Sequence, residues 1–289
     1  MSFHHFIRHI PILTFSIFLP VALSANPTQI AFLDHAYTVL DKATIKELDE
    51  SDFLKRFAFY EVISHSEKEG VRIARYLTGR STYIELYAEG ERDGTKVGLG
   101  IMSESPGDID IIKNRLSQES VAFKSSLMTR NLGEEEVNFL QDLALGDDEV
   151  DLWAAEYISS YMNNPLSQRE PAEHENDQIS RERYLPDGYQ QHQFRDIQKV
   201  VIELDPSHAA SLISLLKAAG YNVNRGGNTF SATGERDAIE VISKEDGKGR
   251  IREIHMLLND PVKGKHVEAI GNTSLTVGPG RSAVWVLND

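Results

Sequence analysis

Glu253 and His255 stand two residues apart in RIREIHMLLN, a spacing that puts a carboxylate and an imidazole on one face of a strand. Such a pair can act as metal ligands, and on a partly exposed strand edge it needs no ligand at all. Glu85 lies between Tyr83 and Tyr87 in STYIELYAE, residues 81–89, and alternation gives the three one face. That face is either the wall of a site or a solvated surface with stacked tyrosines. His35 follows Asp34 in IAFLDHAYTVLD, residues 30–41, and shares a strand face with Leu33, Tyr37 and Val39. Glu156 shares its face with Ala154 and Ile158, where burial is expected, and a buried carboxylate needs a partner or a metal. The runs Glu134-Glu135-Glu136 and Asp147-Asp148-Glu149 lack the spaced ligands and central glycine of an EF-hand and read as solvated faces. Gly226-Gly227 reads as a turn, and Trp153 and Trp285 as core or cavity-wall residues. No HExxH, GxSxG or Walker-type loop occurs, which leaves metalloprotease, serine hydrolase and P-loop NTPase unsupported.

These residues must be positioned by strands. Residues 30–41 read as a strand, 42–56 as a helix with Ile45, Leu48, Phe53 and Leu54 on its apolar side. Three strand-like runs follow at 57–65, 71–77 and 81–89, with Gly79-Arg80 turning between the last two. The order is β-α-β-β-β, and it restarts at residue 96. Residues 96–103 form a short strand, and Ser105-Pro106-Gly107-Asp108 opens a helix with Ser105 as N-cap and Ile109, Ile112 and Leu116 on one face. Residues 121–128 read as a strand, 134–145 as an acidic helix and 150–162 as the closing strand. Residues 163–193 are polar and poor in apolar side chains, a surface excursion between units. A third unit begins with a strand at 194–205 and a helix at 207–219 stopped by Gly220. Strands at 221–225, 228–233, 237–243 and 250–259 follow, and a tail at 266–288 carries two more short runs around Gly278-Pro279-Gly280.

The whole chain has 289 residues, 44 acidic and 30 basic side chains, ten histidines and no cysteine, for a formal charge of −14. With 40% hydrophobic residues it can bury a core, which excludes global disorder. The acidic balance argues against a nucleic-acid partner, which calls for a basic face. Without cysteine there are no disulfides, thiolate metal sites or cysteine nucleophiles. The first 25 residues, MSFHHFIRHIPILTFSIFLPVALSA, carry Arg8 and three histidines before an apolar run at 10–23 that closes on Ser24 and Ala25. This is the order of a cleaved secretory signal. The run is too short to span a bilayer and is interrupted by Pro11 and Pro20, so no stable membrane anchor is expected after cleavage. Removing 25 residues from 289 leaves 264, destined for the periplasm or the exterior.

In LDHAYTVLD (33–41), TYIELY (82–87), GLGIMSESPGDIDIIKNRL (98–116) and LWAAEYI (152–158), the chain resembles the glyoxalase/bleomycin-resistance, or vicinal oxygen chelate, superfamily. The resemblance implies an α+β fold in which paired βαβββ modules enclose one curved-sheet cavity. The modules would be 30–90 and 96–162 within a domain at 26–162, with a third βαβββ-like module and C-terminal strands at 194–289. It further implies a divalent ion, Fe, Mn or Zn, held by His35, Glu85 and Glu156, with Glu85 and Glu156 also serving catalysis. Where a second histidine would stand, this chain has only Gly98 and Gly100. Three readings follow: a metal-dependent lyase, isomerase or dioxygenase acting on a small oxygen-chelating substrate, a metal-free protein of the same fold that binds or sequesters a small molecule, or a structural or interaction domain. Two modules in one chain can close a cavity without dimerisation, so monomer and homodimer both remain open.

Overall fold

The computed structural model describes residues 28–67, 70–92, 94–174 and 177–288. The segment at 1–25, expected as a secretory signal, lies outside the described residues. The first module runs β1 (Ala31–Leu40), α1 (Lys42–Glu50), α2 (Asp52–Phe57), β2 (Phe59–Glu67), β3 (Gly70–Thr78) and β4 (Tyr83–Ala88). The second runs β5 (Val97–Ser103), α3 (Asp108–Gln118), β6 (Lys124–Leu132), β7 (Glu135–Ala144) and β8 (Val150–Tyr157). They join edge to edge through antiparallel β1 and β5 into one eight-stranded sheet of order β2-β3-β4-β1-β5-β8-β7-β6. This is the paired βαβββ architecture, in the α+β class, that the resemblance implies.

Two stretches depart from the expected elements. The acidic segment expected as a helix at 134–145 is the strand β7, which pairs with β6 across a turn where Gly133 has a φ of 65°. Its glutamates and leucines favour helix locally, but pairing with both β6 and β8 overrides that preference. The polar stretch after β8 folds as α4 (Ser159–Met162), a turn at Pro165–Ser167, α5 (Arg181–Tyr184) and a turn at Asp187–Gln191. It is more than a surface excursion, because Arg181 and Arg183 are buried in it. The Arg183 guanidinium donates to the carbonyls of Met162, Asp177, Gln178 and Glu170, and so satisfies irregular backbone that has no ladder partner.

The remaining chain repeats the arrangement. β9 (Phe194–Leu204), α6 (Pro206–Ala218), β10 (Asn222–Gly226), β11 (Thr229–Thr233) and β12 (Ala238–Ser243) form a third unit. β13 (Arg250–Val262), β14 (His266–Ile270), β15 (Thr273–Val277) and β16 (Gly280–Leu287) form a fourth, where the sequence assigned the strand at 250–259 to the third unit and left 266–288 as a tail. The second sheet has the order β10-β11-β12-β9-β13-β16-β15-β14. The fourth unit has no helix between its first two strands. β16 accordingly returns antiparallel to β13, whereas β8 lies parallel to β5 after the crossover through α3.

The two sheets share one core. Leu48, Leu54, Ile112 and Leu116 from the first half and Leu212 and Leu216 from α6 belong to a single buried cluster with the inner faces of both sheets. Arg115 on α3 donates to the carbonyl of Ala218 at 2.7 Å, and the backbone of Asn272 donates to Thr44 Oγ1 at 3.0 Å. The helical faces of both sheets thus turn toward each other, and the opposite face of the first sheet is left to build a site.

Two polar contacts tie this core together. Glu156, on β8, accepts from the backbone N–H groups of Gly107 and Ile109 at 2.8 and 3.0 Å and from Ser103 Oγ at 3.1 Å. It serves the N-terminus of α3 in place of the expected Ser105 side chain, and a carboxylate there also meets the positive end of the helix dipole. His208, in the first turn of α6, bridges its N-cap Asp205 and Asp147 in the β7–β8 loop, the latter at 3.0 Å. Burial opposes the charge on this imidazole, but the two carboxylates outweigh it and raise its pKa.

Replacing Glu156 by alanine strands these donors and is expected to lower stability by about 1–3 kcal/mol, read by denaturant unfolding. For His208 the raised native pKa means that its stabilisation is complete below its unfolded value of about 6.5 and fades as pH rises through the native one. The loss of melting temperature in His208→Gln should therefore be larger at pH 6 than at pH 9. Equal losses at both would contradict the bridge.

Candidate active site

Strand alternation sorts the first sheet into a helix-facing side and an open side. On β4, Ile84 and Leu86 enter the core, while Tyr83, Glu85 and Tyr87 face the other way. On β1, Ala36 is core, and His35 and Tyr37 lie opposite it. The open side forms a cavity of about 750 Å³, walled by both modules and roofed by Arg169, Tyr184 and Pro186 from the polar stretch. Tyr184 is held there by stacking on Tyr157 at 4.4 Å and by Arg130, which donates to its hydroxyl at 3.0 Å.

Asp34 and His35 are adjacent in sequence, and on a regular strand their side chains would point to opposite faces. A bulge removes that obstacle. Leu33 pairs with Ile101 and His35 with Gly100, so Asp34 is the extra residue in β1. The His35 ring then donates from Nδ1 to Asp34 Oδ2 at 2.6 Å. That bond sets the tautomer and leaves Nε2 facing the cavity, 4.0 Å from Glu85 Oε2. The ring is stacked on Tyr83 (4.1 Å, 17°) and tilted against Trp153 (4.8 Å). Asp34 is 1% exposed, and its Oδ1 finds no hydrogen-bond donor among the described residues.

Glu85 is held from its other oxygen. Tyr76 donates to Oε1 at 2.8 Å, Tyr87 donates to the same atom, and Arg72 lies at 3.6 Å. Burial, and after it the Glu85 charge, pushes both phenols well above their ordinary pKa, so they remain donors at any physiological pH. Across the seam, Asp151 on β8 accepts from Tyr37 at 3.1 Å and pairs with Arg92 at 3.4 Å. Burial raises its pKa. Glu61, also in the cavity wall, is raised for the same reason.

Of the residues expected to form a metal site, His35 and Glu85 meet and Glu156 does not. Glu156 lies on the helix-facing side of β8 with Ala154, its oxygens engaged at α3, so neither its metal-ligating nor its catalytic assignment holds. The residue on β8 that does face the cavity is Asp151, in step with Trp153. Catalytic zinc and iron sites take three or more protein donors about 2.0–2.2 Å from the ion. Among the described residues no group of three or more His, Asp or Glu side chains could hold one. The donors present do not fit the implied three-ligand ion. Gly98 and Gly100 show why a second histidine is absent: a Cβ at Gly98 would overlap the Tyr37 ring, and one at Gly100 the Trp153 indole. Glu253 and His255 pair with each other, at 2.8 Å on the second sheet. Asp34, Arg72, Tyr76 and Asp151 escaped the sequence argument. Alternation in VRIARYL and VDLWAAEY places the last three, but the bulge that recruits Asp34 leaves no local mark.

Comparison with solved structures returns distant matches. A hypothetical protein from Staphylococcus aureus is 13% identical, over 83% of this chain and 96% of its own, with a TM-score of 0.47. The Mn(II)-bound glyoxalase from Novosphingobium aromaticivorans is 10% identical, over 89% and 81%, with a TM-score of 0.44. A catechol 2,3-dioxygenase is 10% identical, over 87% and 85%, with a TM-score of 0.45. At these scores the likeness carries no functional argument. No curated protein matches the chain. The sequence model of a family of unknown function, DUF5829, matches residues 33–287, and the chain belongs to that family.

Proposed function

We propose that the protein is an exported enzyme that binds a small, planar, oxygen-bearing molecule in the cavity of its first sheet and moves a proton through His35 without a metal ion. The observation that carries this reading is the Asp34–His35 pair, which leaves Nε2 open to a cavity of about 750 Å³. Nε2 would take a proton from an acidic C–H or O–H of the bound molecule, Asp34 would stabilise the resulting imidazolium, and the proton would return to a second atom of the same molecule. This is isomerisation, or elimination when a leaving group accepts it. Tyr83, Trp153 and Tyr184 offer ring faces for a planar ligand, and Glu85, pinned by two phenols, presents Oε2 beside the imidazole. Oriented acid–base groups of this kind contribute about 10²–10⁴-fold to rate.

The reading is tested with chelator-treated protein and a panel of small α-hydroxycarbonyl and phenolic compounds, following Trp153 fluorescence with Trp153→Phe as the control. Ligands should quench the wild type without added metal. For a compound that turns over, His35→Gln should reduce turnover about 100-fold or more while leaving binding within a few-fold. Unaltered turnover in His35→Gln would overturn the role of His35, and quenching by ligands with no turnover of any of them would instead favour a sequestering protein. Stoichiometric Fe, Mn or Zn in the wild type, lost in His35→Ala and Glu85→Ala, would overturn the metal-independent mechanism.

A further inference from the structure

The bulge that makes the Asp34–His35 pair lies where β1 loses a neighbour. β1 and β4 are paired only from His35–Tyr83 onward, so the stretch before His35 has no strand on that side. Two side chains from elsewhere in the molecule stand in for it. The N–H of Leu33 donates to Asp237 Oδ2 at 2.7 Å, and the carbonyl of Leu33 accepts from Arg181 Nη1. Asp237 lies in the turn before β12, in the second half of the chain, and its Oδ1 accepts from Gln29 Nε2 at 3.4 Å. Arg181, on α5, is 2% exposed and held by Glu104, which accepts from its Nε at 3.0 Å. Glu104 in turn pairs with Arg236, the neighbour of Asp237, at 3.2 Å.

We propose that Asp237 and Arg181 are positioning residues of the cavity: by gripping both peptide groups of Leu33 they hold the bulge that turns Asp34 and His35 to one face. The inference rests on the proton-transfer reading of His35 and goes beyond it, because it makes the second sheet and the roof segment part of the first sheet's site. A continuing β4 would accept and donate at the same backbone atoms, but it would also impose regular alternation. Two side chains anchored in a charge-paired cluster satisfy Leu33 without imposing a register. The cost of losing either is more than one hydrogen bond, since the freed peptide group is buried with Leu33, which is fully inaccessible to solvent.

The test reads the His35 ring directly in the full chain, by nitrogen-15 correlation spectra of histidine-labelled protein, with His35→Gln giving the assignment. Wild type should show one tautomer, protonated at Nδ1. Asp237→Ala and Arg181→Lys should shift His35 toward exchange between tautomers, while Asp237→Asn, which keeps an acceptor oxygen, should restore the wild-type pattern. A general loss of stability would not do this, so His208→Gln serves as the control and should leave the His35 pattern as in wild type. A wild-type pattern in folded Asp237→Ala or Arg181→Lys overturns the positioning role. Arg181→Lys keeps the buried charge and decides the matter if Asp237→Ala does not fold. Asp34→Ala, which removes the acceptor, separates the two claims: if it leaves the single tautomer intact, the Asp34–His35 pair itself is not what orients the ring.

Discussion

The alternation of side chains along a strand governs this molecule, and the Asp34–His35 contact exists because alternation is broken at Asp34. Along β4 the rule divides residues between a helix-facing core and an open face, with Ile84 and Leu86 against Tyr83, Glu85 and Tyr87. At Asp34 the extra residue in β1 turns two neighbours to the same side. A buried carboxylate and an imidazole then meet at 2.6 Å, a contact that regular strand geometry denies to adjacent residues. Asp34 is almost fully enclosed, with one oxygen unpartnered among the described residues, an arrangement that costs about 1–3 kcal/mol and has to be held by its surroundings.

Those surroundings come from the whole chain. The helices of both halves lie in one core between two sheets of the same strand order, so the second sheet supports the back of the first. Side chains beyond residue 162 reach forward to it as well: Arg181 and Asp237 to the backbone of Leu33, and Tyr184 to the roof of the cavity. On the second sheet histidine and glutamate pair two residues apart, Glu253 with His255 on β13 at 2.8 Å and His266 with Glu268 on β14 at 3.0 Å. The first sheet thus carries the candidate site, and the second lies behind it as support.

Much of the first module was legible. The strands expected at 30–41, 57–65, 71–77 and 81–89 correspond to β1, β2, β3 and β4, with the second starting at Phe59 after α2, and His35 and Glu85 lie on the open side as their spacing requires. The losses have distinct physical causes. At 134–145, glutamate and leucine favour helix locally and strand pairing overrides them. At Glu156, alternation already grouped the side chain with Ala154, and only the resemblance to a metal-binding pattern argued otherwise; three donors at the start of α3 claim it. At 163–193, a scarcity of apolar residues suggested exposure, yet arginines can be buried when they satisfy backbone carbonyls.

The sequence by itself determined the β-α-β-β-β order of the first unit, the restart of strand and helix at residues 96 and 194, the acidic and cysteine-free character of the chain, and the placement of His35 and Glu85 on strands that face one side. These follow from short-range periodicity, which a single chain displays openly. Tertiary structure alone decided which carboxylates meet the imidazole. Asp34 joins through a bulge, Asp151 faces the cavity while tied to Tyr37 and Arg92, and Glu156 turns away to α3. It also decided that the C-terminal strands complete a second sheet and that residues about 150 and 200 positions away brace Leu33. Such pairings depend on register and on long-range contacts, and neither leaves a periodic trace in the local sequence.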